Sequence, residues 1–91
     1  MSEVEKFEKL IQVCRKLKMK IKGGLTLTID EVNEFCKAWE EYYNSLPDYA
    51  KDWAFATFSF GVIKFSEVSK IVKENPKILE LLVNIILGEE P

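Results

Sequence analysis

The sequence predicts an all-α domain: four helices in 91 residues, with a long third helix at the centre. Three observations carry this expectation. Apolar residues recur at three- and four-residue steps over 3–22 and 29–45, the period of a helix with one buried face. Ser2-x-x-Glu5 and Thr28-x-x-Glu31 each have the form of a capping box, in which the first residue's oxygen and the fourth's carboxylate satisfy free N–H groups at a helix start. Pro47 and Pro76 sit where a first helical turn tolerates a missing N–H.

The first helix is expected over 3–22. Val4, Phe7, Leu10, Ile11, Cys14, Leu17 and Ile21 form its apolar stripe; Glu3, Glu5 and Glu8 come early, and Arg15 to Lys22 come late, as the helix dipole favours. Gly23 is placed to end it in the left-handed conformation. The rival reading is a short hairpin at 16–29, giving an α+β fold. There Lys alternates with Leu17, Met19 and Ile21, then Gly23-Gly24 precede an alternating Leu-Thr run. Lys, Leu and Met are better helix than strand formers, so the helix is preferred, although Met19 falls off its apolar face.

A second helix, 29–45, carries Val32, Phe35, Cys36, Trp39, Tyr42 and Tyr43 on one side and Asp30, Glu31, Glu34, Glu40 and Glu41 elsewhere. The third, 47–74, includes the nearly unrelieved apolar run WAFATFSFGVI. Ala50, Ala54, Thr57 and Gly61 would line a groove between aromatic ridges, a shape suited to a packed neighbour. The same run has high β propensity, and a buried strand is its alternative. The fourth helix, 76–87, is apolar around about two thirds of its circumference, with Lys77, Glu80 and Asn84 as a polar edge; it ends at Gly88, before a frayed tail at 88–91. That width exceeds what one face needs. Ile78, Leu79, Leu82, Val83 and Ile86 are therefore expected to form a homodimer interface.

Composition bounds the function. Apolar residues make up 47% and charged residues 31%, which is a folded rather than disordered balance. The net charge of −2 draws the whole chain toward neither nucleic acid nor acidic lipid. Charge is uneven, however. Residues 1–24 hold seven bases and three acids, and 25–50 hold one base and six acids, so the two segments should attract. Lys greatly outnumbers Arg, which suits a thermophilic archaeal or viral source; AT-rich coding produces the same bias. Residues 2–9 carry five charges, unlike a secretory leader, and the longest uncharged run is eleven residues against the ~20 of a membrane span, so a cytoplasmic location is expected, with no membrane partner.

No His is present, so Ser-His and Cys-His nucleophile pairs are excluded, and no enzymatic activity, cofactor or metal is assigned. Asp30, Glu34 and Glu41 share a side and could hold Mg²⁺ or Mn²⁺, but a solvated or partner-facing charged surface is the preferred reading. Cys14 and Cys36 lie on apolar faces; buried thiols are expected, with a disulfide between them as the alternative. The function expected is a non-enzymatic protein–protein interaction module, an adaptor or inhibitor with a protein partner, self-associating through its last helix. The alternative is a nucleic-acid-binding regulator gripping phosphates with Arg15, Lys16, Lys18, Lys20 and Lys22.

Overall fold

The computed structural model describes residues 3–59 and 61–88. Its elements are α1 (Glu3–Lys22), α2 (Ile29–Ser45), a 3₁₀ turn (Asp48–Ala50), β1 (Ala54–Phe58), β2 (Gly61–Lys64), a second 3₁₀ turn (Phe65–Glu67), α3 (Val68–Glu74) and α4 (Lys77–Leu87). The fold is mostly helical, four helices with a small two-stranded antiparallel sheet. The hairpin at 16–29 does not form, since α1 runs unbroken to Lys22.

α1 ends in a Schellman motif. Gly24 N–H donates to Ile21 O at 3.0 Å and Leu25 N–H to Lys20 O at 3.0 Å. The left-handed residue is Gly24, with φ 76°, one position later than expected. The chain then runs extended into α2, whose start is the capping box read from the sequence. Glu31 N–H donates to Thr28 Oγ1 at 3.2 Å, and Thr28 N–H to Glu31 Oε1 at 2.8 Å. The equivalent box at Ser2 and the tail at 89–91 lie outside the described residues.

The long third helix is a correction. Its first half is a β-hairpin, and only Val68–Glu74 is helical. β-branched and aromatic side chains over 55–65 favour the pleated state, and Gly61, at φ 141°, takes a conformation that L side chains rarely adopt. Ala50, Ala54, Thr57 and Gly61 consequently line no helical groove. Thr57 pairs with Val62 and Phe58 with Gly61, and a bulge interrupts the register between Ala54 and Ala56. Phe55 is the extra residue. Strict alternation would place it on the exposed face of Thr57; the bulge re-aims it onto Trp39, ring centroids 4.9 Å apart.

The core is shared by all the major elements. Leu10, Cys14 and Leu17 of α1, Phe35 and Trp39 of α2, Ile63 of β2, Val68 and Val72 of α3, and Leu79, Leu82 and Val83 of α4 are buried. Trp39 is the hub. Its indole N–H donates to Phe65 O at 3.0 Å, and its ring meets those of Phe35, Tyr42, Phe55 and Phe65. The covered hairpin thus gains the stability an isolated one lacks.

Candidate functional site

The charge asymmetry of the first fifty residues resolves into a seam between α1 and α2. Lys6 and Lys9 reach Glu41 at 3.3 and 3.9 Å, Lys16 reaches Glu34 at 3.0 Å, and Lys20 reaches Glu31 at 2.8 Å. As α1 advances, its partners recede along α2, the signature of an antiparallel helix pair. The hydrogen bond from Lys20, followed by that from the Thr28 N–H, lowers the Glu31 pKa below the ordinary carboxylate range. The hydrogen bond from Lys6, with the nearby charge of Lys9, lowers that of Glu41.

The five cations of the phosphate-binding alternative are therefore divided. Lys16 and Lys20 are engaged by α2, and Lys18 donates to the Asn84 side chain on α4. Arg15 and Lys22 remain exposed, on a different side of α1 from the seam. Glu34 and Glu41 face lysines rather than each other, and among the described residues no group of three or more potential ligands is arranged to hold a metal.

The predicted interface on α4 requires correction. Leu79, Leu82 and Val83 are completely buried within the single chain, and Ile78 and Ile86 are partly buried against the same core. α1 and α3 cover that surplus within the same chain. What remains outside is a ridge of Leu81 and Ile85, 39% and 41% exposed and one turn apart. The residue pattern held a signal for this ridge: at about 100° per residue Leu81 falls beside the polar edge of Lys77, Glu80 and Asn84, with Ile85 next to it, whereas Leu79 and Leu82 fall farther round the helix.

α1 carries a larger outward apolar surface. Val4 is 62% and Met19 75% exposed, and Phe7 stands against Tyr42 with ring centroids 5.2 Å apart. Two adjoining grooves, of about 440 and 340 Å³, meet at Phe7 and Glu8; one continues to Val4 and Tyr42, the other to Ile11, Gln12 and Arg15. The sequence held one signal of this face: Met19 falls off the buried stripe.

The cysteines are free thiols, correcting the disulfide alternative. Both are buried, and burial pushes the Cys14 pKa up to about 12. Burial also raises that of Cys36, against a smaller opposing pull from Lys73; its Sγ donates to Ser69 O at 3.8 Å. The Ser69 hydroxyl is buried without a hydrogen-bond partner among the described residues. No described helix is long and apolar enough to cross a membrane. Compared with protein-family models, curated proteins and solved structures, the chain matches none.

Proposed function

We propose that this chain is a non-enzymatic interaction module that works by docking its outward helical faces on another polypeptide. One observation supports the reading above others: large apolar side chains stand in solvent on two helices whose opposite faces build the core, namely Val4 and Met19 on α1 and Leu81 and Ile85 on α4. Apolar side chains exposed one turn apart, as Leu81 and Ile85 are, mark an association surface; Val4 and Met19 lie toward opposite ends of one helix face. The contribution of α4 to self-association is confined to the Leu81–Ile85 ridge. Two half-covered side chains fall well short of the ~800 Å² per partner of a specific interface, so that ridge acts only as part of a wider surface.

Phosphate gripping is less favoured, because Lys16 and Lys20 already face carboxylates of α2. A nucleic-acid mode predicts retention that weakens steeply with salt; the docking reading predicts no salt-sensitive gel shift.

The test is photo-crosslinking in the cells of origin. A crosslinker at Val4 or Leu81 should yield discrete products, whereas one at Glu40 or Ser66, both exposed and polar, should not. Equal, diffuse labelling from all four positions would overturn the reading.

A further inference from the structure

We propose that the outward face of α1 docks a second copy of the same face, antiparallel, about a two-fold axis passing near residues 11 and 12. This names the partner for the docking reading and rests on it. Stepping 100° per residue, Val4, Glu8, Ile11, Arg15 and Met19 fall within a sector of about 80°. All five are at least partly exposed, and all lie away from the lysines that meet α2.

The order of residues along this face complements its own reversal. A two-fold axis between 11 and 12 brings Val4 opposite the second copy's Met19, Glu8 opposite its Arg15, and Ile11 opposite its Gln12. Each pairing occurs twice. Apolar side chains thus meet at both ends, and each carboxylate meets a guanidinium between them. Neither Glu8 nor Arg15 has an ion-pair partner among the described residues, so both are available. A parallel arrangement would instead set Glu8 against Glu8 and Arg15 against Arg15. The helix dipoles also favour the antiparallel arrangement. A contact built on one helix face is small, which makes the pair readily dissociable and sensitive to ionic strength.

The test is molar mass by sedimentation equilibrium at low salt, up to a few hundred micromolar, with circular dichroism to confirm folding. The wild type should approach twice 10.6 kDa as concentration rises. Glu8→Arg and Arg15→Glu should each weaken the pair at least ~10-fold, because each sets like charges together twice. The double variant should recover it, and an equimolar mixture of the two single variants should form a mixed dimer. A wild type that stays monomeric, single reversals without effect, or a double variant that fails to recover would each overturn the proposal. If the wild type is monomeric yet a crosslinker at Val4 captures a different polypeptide, the two-fold pairing falls while the docking reading stands. If crosslinking is also diffuse, both fall.

Discussion

Two kinds of contact converge on Glu31. Its carboxylate closes the capping box of α2 and receives Lys20 from the end of α1, so a local turn and a tertiary contact share one side chain. Thr28→Ala removes the reciprocal acceptor of that box. A lost cap costs about 1 kcal/mol, and a thermal melt should show a fall of roughly 4–8 °C for a chain of this size. Glu31 and Glu41 both have lowered folded-state pKa values. The stability they contribute is present above the unfolded carboxylate pKa, about 4.3, and disappears as pH falls through the lower folded values. Acid titration of the melting temperature should therefore show a decline beginning near that point, reduced in a Glu31→Gln, Glu41→Gln variant. The thiols behave oppositely. With Cys14 raised to about 12, its contribution is complete below the ordinary thiol pKa of about 8.5 and is lost as pH rises toward 12. Buried and protonated, both cysteines should resist a thiol reagent at neutral pH and react at the rate of unfolding; fast labelling of either would contradict their placement.

Among elements, those whose ends are local events were legible. α1 and α2 have the predicted bounds, and α4 begins one residue later, because caps, glycines and periodic apolar residues act within a turn or two of chain. The glycine pair after α1 shows the limit of that resolution. Only Gly24 has positive φ, with open space around it, whereas a Cβ on Gly23 would make ordinary contacts at 3.6 Å. Gly24→Ala should destabilise by roughly 1–2 kcal/mol, and Gly23→Ala should be neutral or slightly stabilising, as read by denaturant midpoints. The stretch 47–74 was not legible as it folds. Its helical spacing of small residues and its β-branched, aromatic content support different states. The hairpin prevails because Trp39 and Phe65 cover it, and that cover comes from a helix and a turn outside the strands.

For the whole molecule, the distribution of apolar side chains decides which faces are available. Leu82 is buried and Leu81 is not, although they are sequence neighbours. Leu82→Asp should unfold the chain, because an unpaired carboxylate cannot be held in that core; Leu81→Asp should leave the far-ultraviolet circular dichroism unchanged. The reverse pattern would mean that α4 is rotated about its axis. The sequence expectation that the last helix holds more apolar surface than one chain can cover fails at Leu79, Leu82 and Val83, which are buried; Leu81 and Ile85 are what the chain leaves outside. α4 packs its apolar arc against α1 and α3 of the same chain, which leaves only one edge of it outside.

By itself, the sequence determined the two long helices, their capped junction, the mutual attraction of their charges and the glycine end of α4, because each depends on residues a few positions apart or on simple charge complementarity. Tertiary structure alone decided that Ala54–Phe58 and Gly61–Lys64 pair as a hairpin, that Leu79, Leu82 and Val83 are core, and that Val4 and Met19 of α1 stand outside it. Burial is a property of what lies on the other side of a side chain, and for these residues that neighbour comes from a distant part of the chain.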